Sequence, residues 1–216
     1  MRKIDSTDPI NRSWSPNYSV DDVLFLDDHT PFPDVYPDLI LDEVIFEDTR
    51  QQEGKHELKH EGFARHALPV ISHKLRFGDY ASTSHYVVDT KRNIGELAKC
   101  LVSEWWRFKD EAAAASNAGY ALIVLTETDG VTTTDELTNW KNPTCYELCP
   151  WFKAYMCEPS DKSAKCHCFD HNKRPVDGQR LIEAIHYAES QFNIYFFYCK
   201  PEQAAGYIYD FLITRY

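Results

Sequence analysis

No stretch of this 216-residue chain approaches the roughly 20 consecutive apolar residues that a membrane-spanning helix needs. The longest apolar runs, "ALIVL" and "IYFFY", are strand-length. The N-terminus, "MRKIDSTDPINRS", has no apolar core and does not read as a secretory signal, so a soluble, cytoplasmic protein is expected. Basic residues are in deficit: 23 Lys and Arg stand against 34 Asp and Glu, a net charge of −11. A protein that coats nucleic acid needs clustered cations to neutralise phosphate, so that class is disfavoured. The seven cysteines are an odd number, and without a secretory signal a disulfide framework is not expected. There is no internal repeat.

What is present suffices for one domain with a full core: 43% hydrophobic and 14% aromatic residues. Residues 1–43 are rich in Pro, Asp and Ser ("SPNY", "TPFPDVYPD") and read as an extended arm. Residues 44–216 form the domain. Val44 to Phe46 is a short apolar run, read as a buried strand that delivers Asp48 at its C-terminal end. "KHELKHEGFARHA" has helical character and stops before Pro69. Two strands are expected next, "VISHKLRFGDYA" and "HYVVDTKR", joined as a hairpin by the turn around Ser82 to Ser84. Asn93 is a candidate N-cap for one long helix reaching Gly119, with Ile94, Leu97, Ala98, Leu101, Trp105 and Phe108 on its apolar face. "YALIVLTE" reads as a strand buried on both faces. A Cys-rich insertion follows, about residues 128–176. Then come a helix capped by Asp177, the strand "NIYFFYC", and a last helix opened by Pro201. Strands alternating with helices, with a hairpin near the start, predict an α/β fold around a mixed central sheet.

Asp79, Asp89 and Lys91 need a reason to sit in strands. Side chains alternate along a strand, so Asp89 and Lys91 share a face. Carboxylates on adjacent strands are the hard oxygen ligands that a divalent cation requires to activate water against a phosphodiester. A lysine on the same face can orient that water or stabilise charge on the phosphate. Asp48 would bring a third acid to the corner, contributing directly or through water. Like charges so placed repel unless a cation sits among them. Singly, each of these short motifs is more often an ordinary surface feature; their order along the chain makes them a constellation.

The segments "EDTRQQEGKHELKH", "LRFGDYA" and "YVVDTKRNIGELAKCL" resemble the XPF-type nuclease domain of the PD-(D/E)xK superfamily, in particular its small stand-alone bacterial and phage versions. The resemblance runs from about residue 44 to 216 and leaves the arm unmatched. It implies a restriction-endonuclease-like fold and a Mg²⁺- or Mn²⁺-dependent DNA endonuclease, acting in phage or bacterial DNA repair, recombination or processing. It implies that Asp48, Asp79, Asp89 and Lys91 are catalytic, with Asp79 and Asp89 as metal ligands. Relatives dimerise through this domain, which makes a homodimer an expectation. Three positions depart from the family pattern: Gln51 stands where a glutamate is usual (Glu53 or Glu57 could replace it), Thr90 where an arginine is usual, and the downstream acid moves to Glu96. There is no tandem helix-hairpin-helix module, so fork or flap selectivity does not carry over.

Arg50, Lys55, Lys59, Lys74, Arg76 and Arg92 are the candidate DNA-backbone contacts, against an ordinary solvated surface as the alternative. Cys145, Cys149, Cys157, Cys166 and Cys168 fall within 24 residues, so a structural zinc and free thiols are both open. Cys100 and Cys199 read as core thiols, and Trp105, Trp106 and Phe108 as core and interface. His56 and His60, four apart, read as a satisfied or solvent-facing pair. The alternative to an enzyme is a catalytically silent nuclease-like module that binds DNA or protein, for example a silent subunit or an inhibitor in phage–host conflict.

Overall fold

The computed structural model describes residues 44–49, 57–143 and 176–214. The arm expected over residues 1–43 lies outside them, as do Cys145, Cys149, Cys157, Cys166 and Cys168. The elements run β1 (Ile45–Asp48), α1 (Glu57–Arg65), β2 (Val70–His73), β3 (Tyr80–Ala81), β4 (Tyr86–Lys91), α2 (Ile94–Ala98), α3 (Trp105–Asn117), β5 (Ala121–Glu127), α4 (Gly178–Gln191), β6 (Ile194–Cys199) and α5 (Ala204–Leu212). One mixed sheet holds all six strands in the order β2-β1-β3-β4-β5-β6. Its β1–β2, β4–β5 and β5–β6 pairs are parallel, and β3 runs antiparallel to β1 and β4. The expected α/β fold with a mixed central sheet flanked by helices is the one observed.

Alternation along the strands sorts the side chains into two cores. Phe46, Val87, Leu122 and Val124 face one layer with Leu101, Phe108, Ala112, Leu181 and Ile185. Ile45, Tyr80, Val88, Ile123 and Leu125 face the other with Phe63, Ile208 and Phe211. So α2, α3 and α4 cover one face, and α1 and α5 cover the other. Strand β5 is buried along its whole length, as its unbroken apolar run predicts. No described helix is long and apolar enough to cross a membrane.

The hairpin expected over residues 70–91 is smaller than the sequence suggests. Val70–His73 pairs in parallel with β1 at the sheet edge, and only Tyr80–Ala81 pairs with β4. Strand β1 occupies the place between them, since Phe46 and Glu47 pair with Ala81 and Tyr80. The crossing segment is pinned by Leu75 and Phe77, both fully buried. The alternating pattern was right about strands but could not reveal a partner supplied from earlier in the chain.

The single long helix is also broken. Asn93 caps α2 as expected, its Oδ1 accepting the Glu96 N–H at 2.8 Å. Glu96 reaches back to the Arg92 N–H, one residue before the cap, at 2.8 Å, so this acid also serves the helix end. A π-helical turn at Lys99–Ser103 then intervenes, closed by Glu104 N–H onto Lys99 C=O at 2.9 Å. The wider turn shifts the phase of everything after it. Phe108, Ala112 and Ala115 face the sheet, Trp105 is half-buried, and Trp106, read with them as core and interface, is 71% exposed and so not core.

Two helices end in the same way. In α3, Gly119 takes φ +85°, with Tyr120 N–H on Ala115 C=O and Gly119 N–H on Ser116 C=O. In α1, Ala67 takes φ +53°, with Leu68 N–H on Phe63 C=O and Ala67 N–H on Ala64 C=O. Both are Schellman closures, and this position favours glycine because a Cβ is strained there. Ala67→Gly should therefore raise stability by about 1 kcal/mol, read as a higher urea midpoint at unchanged slope. A lowered midpoint would mean that the turn is not strained.

Candidate active site

Because β1, β2, β4, β5 and β6 all run the same way, their C-terminal ends share one edge of the sheet, where open α/β sheets place their sites. The antiparallel β3 begins at that edge, which brings in the residue just before it, Asp79. Asp79 ties its neighbours together: its N–H donates to Val88 C=O at 2.7 Å, and its C=O accepts the Asp48 N–H at 2.9 Å. With β3 only two residues long, β4 has no strand partner on its β3 side beyond Val88, while β5 still pairs with it on the other. The Asp79 carboxylate takes over. Its Oδ2 accepts the Thr90 N–H at 2.9 Å and the Thr90 hydroxyl at 2.5 Å. Thr90 is thus the residue that orients Asp79.

Asp89 and Lys91 share a face of β4, as alternation predicts, with Lys91 Nζ donating to Asp89 Oδ2 at 2.5 Å. Both are nearly closed to solvent, at 4% and 8% exposure. The ammonium also lies 5.9 Å from the centre of the Phe108 ring, within cation–π range. Burial drives the Asp89 carboxyl well above the usual aspartate range; Lys91 opposes that, while the charges of Asp79 and Glu111 add to it. For Lys91, burial disfavours the charged form, but Asp89 outweighs it, with Cys100 and Asp79 adding, so its pKa lies above the usual lysine range. The corner carries more negative than positive charge. Glu111, on α3, was not singled out in the sequence; it enters the corner by accepting the Gly78 N–H at 2.8 Å.

Asp48 lies on the same edge and face, and is buried, with its Oδ1 accepting the Leu75 N–H at 3.1 Å. It is not among the groups whose charge bears most on Asp89. Next to it in register is His73, whose Nε2 is buried with no hydrogen-bond partner among the described residues. Across β4, Thr126 stands opposite Lys91 and buries its hydroxyl, likewise without such a partner. The donor set suits a hard cation, since Asp79 and Asp89 supply oxygen and the excess charge favours one. Yet among the described residues no three His, Cys, Asp or Glu side chains stand together as a ready metal site.

Of the basic residues proposed for DNA, Arg50 and Lys55 lie outside the described residues. Arg76 and Arg92 are exposed, Arg92 Nε lying 3.6 Å from Glu96, and Lys74 is half-buried. Lys59 must be corrected. It is 2% exposed and ion-paired to Glu127 beneath the opposite face of the sheet, so it cannot reach a phosphate at the surface. Its spacing from Phe63, one turn on in α1, was a sign that it faces inward. On that same face Glu47 accepts from His60 at 2.9 Å and from the Tyr80 hydroxyl at 3.1 Å, which bears out the reading of His60 as satisfied. His56, Gln51 and Glu53 lie outside the described residues, and Glu57 is exposed in the first turn of α1. Cys100 and Cys199 are buried as expected, and burial pushes each thiol up to about 12.

No family model matches the chain, and no curated protein does. Among solved structures it is similar to XPF from Aeropyrum pernix, at 15% identity and a TM-score of 0.46 over 76% of this chain. It is also similar to that protein in complex with DNA, at 14% identity and a TM-score of 0.48 over 78% of this chain. The chain spans 62% of the length of each.

A buried ion pair is seldom kept for stability, because hydrophobic residues of similar volume serve as well or better. Lys91→Met should lower stability by roughly 3 kcal/mol above neutral pH by leaving Asp89 unpaired. The sign follows from Asp89: a carboxyl that holds its proton to higher pH when folded opposes folding once it should ionise. With Lys91 in place that proton is kept up to about 7, and without Lys91 it is kept higher still, so the extra loss is smallest in acid and grows as pH rises past about 7. Adding Asp89→Leu should recover most of the loss, measured by urea unfolding. A double variant no more stable than the single one would make the pair a structural stabiliser.

Proposed function

We propose that this protein is a hydrolase that cuts phosphodiester bonds in DNA, using Mg²⁺ or Mn²⁺ held by Asp79 and Asp89. The observation that carries the reading is the two acids and the lysine drawn together at one sheet edge, Lys91 bonded to Asp89 and Asp79 fixed by Thr90. DNA as the substrate comes from the sequence resemblance to XPF-type nucleases. The bound cation would supply an activated water and a counter-charge for the phosphate. Asp79 presents its carboxylate in a fixed orientation because both Thr90 donors converge on one oxygen. Lys91, charged throughout the physiological range, stabilises negative charge on the scissile phosphate or orients the water. The surrounding apolar side chains strengthen both interactions by keeping bulk water away. Arg76 and Arg92, on the exposed rim, hold the backbone without reading bases.

The test is a panel of supercoiled plasmid, duplex, fork, flap and single strand in one buffer with Mg²⁺ or Mn²⁺. Cleavage of at least one substrate is expected. EDTA or Asp89→Asn should abolish it, and Lys91→Met should slow it by about 100-fold or more. Full activity in Asp89→Asn would refute the assignment.

A silent nuclease-like binding module is the second reading. It is favoured by the closure of Asp89 and Lys91 from solvent and by the lack, among the described residues, of a ready three-ligand site. Titration with Mn²⁺ separates the two, since a silent module binds none. A structural zinc held by Cys145, Cys149, Cys157, Cys166 and Cys168 is a further proposal for the Cys-rich segment, and a homodimer is one for the domain as a whole. Elemental analysis of the full chain should find about one zinc, reduced in Cys145→Ser, because four thiolate or imidazole ligands make one closed site. Less than half an equivalent would remove the zinc proposal.

A further inference from the structure

Asp79 is held from two sides, and the hold on its backbone side comes from the helix layer. Gly78 adopts φ +74°, and its N–H donates to Glu111 Oε1 at 2.8 Å. The turn is packed close against β4: a Cβ at residue 78 would meet Val87 Cβ and Val88 O, each at 3.3 Å. Where the Gly78 peptide lies fixes where the next residue, Asp79, begins. On the other side Thr90 fixes the carboxylate itself.

A buried glycine N–H needs only a neutral acceptor, and glutamine would serve. A glutamate there adds negative charge beside two acids, and that charge bears on Asp89. Like charges in a poorly solvated corner repel, so hydrogen bonding alone does not account for an acid at this position. Beside Lys91, β5 adds a further buried polar group at the same edge of the sheet. The Thr126 hydroxyl, in register with Lys91 on the same face, is buried without a hydrogen-bond partner among the described residues.

We propose that Glu111 is a positioning residue of the cation site: one carboxylate oxygen fixes the Gly78–Asp79 turn, and its negative charge strengthens the attraction for a divalent cation between Asp79 and Asp89. The proposal rests on the nuclease reading and adds an acid from α3 to it. It requires that charge and hydrogen bonding at residue 111 be separable. Glu111→Gln keeps an acceptor for Gly78 and loses the charge, whereas Glu111→Leu loses both.

The experiment uses the full chain and Mn²⁺ alone, with free Mn²⁺ followed by electron paramagnetic resonance and folding followed by thermal unfolding. Glu111→Gln should keep the wild-type melting midpoint and bind Mn²⁺ about tenfold more weakly, the lower end of what residues behind metal ligands contribute. Glu111→Leu should lose both midpoint and affinity. Wild-type Mn²⁺ affinity in Glu111→Gln would overturn the proposal, as would a Glu111→Gln midpoint as low as that of Glu111→Leu, which would make the role purely structural. Asp89→Asn separates the two readings. If it abolishes binding while Glu111→Gln does not, the nuclease reading stands and this inference alone falls. If the wild-type protein binds no Mn²⁺, both fall.

Discussion

The ion pair between Lys91 and Asp89 is the interaction around which the acidic edge is arranged. Both groups are taken almost wholly out of water, and each needs the other to stay charged there. Without the ammonium, Asp79, Asp89 and Glu111 would crowd negative charge against an apolar wall that includes Phe108. Lys91 therefore does for the protein alone part of what a divalent cation would do for the complex, holding the carboxylates apart in a defined geometry. A site of this kind is preorganised electrostatically, with the reorganisation cost met during folding instead of during the reaction.

Topology makes that arrangement available. Five strands ending at one edge bring Asp48, Asp89 and Lys91 to that edge, and one short antiparallel strand delivers Asp79 from the opposite direction. Because β3 begins only at Tyr80, the last residues of β4 have no strand beside them on that side, and the Asp79 side chain fills the place of a strand. The π-helical turn belongs to the same design. It buries Cys100 and Leu101 itself and resets the phase of the following helix, which carries Phe108 and Glu111 to the site. An added residue per turn changes which face a helix presents without requiring a proline or a loop.

Much of this was legible in the sequence. The uninterrupted apolar run of β5 marks a doubly covered strand. The two-residue spacing of Asp89 and Lys91 puts them on one face, and Asn93 and Asp177 cap their helices as their chemistry predicts. What escaped depends on partners remote in sequence. Residues 70–81 read as one strand, and nothing local says that β1 inserts between their two halves. Lys59 looks like a surface cation until Glu127 is brought beneath it. Glu111 sits in an unremarkable helical stretch, and only the approach of the Gly78 turn gives it a role. The π turn leaves no mark in composition, since no proline or glycine occurs between Lys99 and Ser103.

The buried pairing of Lys59 with Glu127 fastens α1 beneath the sheet, on the face away from the acidic corner. Mobile ions screen charges in open solvent far more than charges enclosed by protein. The exposed guanidinium groups of Arg76 and Arg92 therefore respond to ionic strength, whereas the clasp under α1 does not. Concentrated salt can therefore weaken whatever pairing the rim makes and leave the scaffold behind it undisturbed.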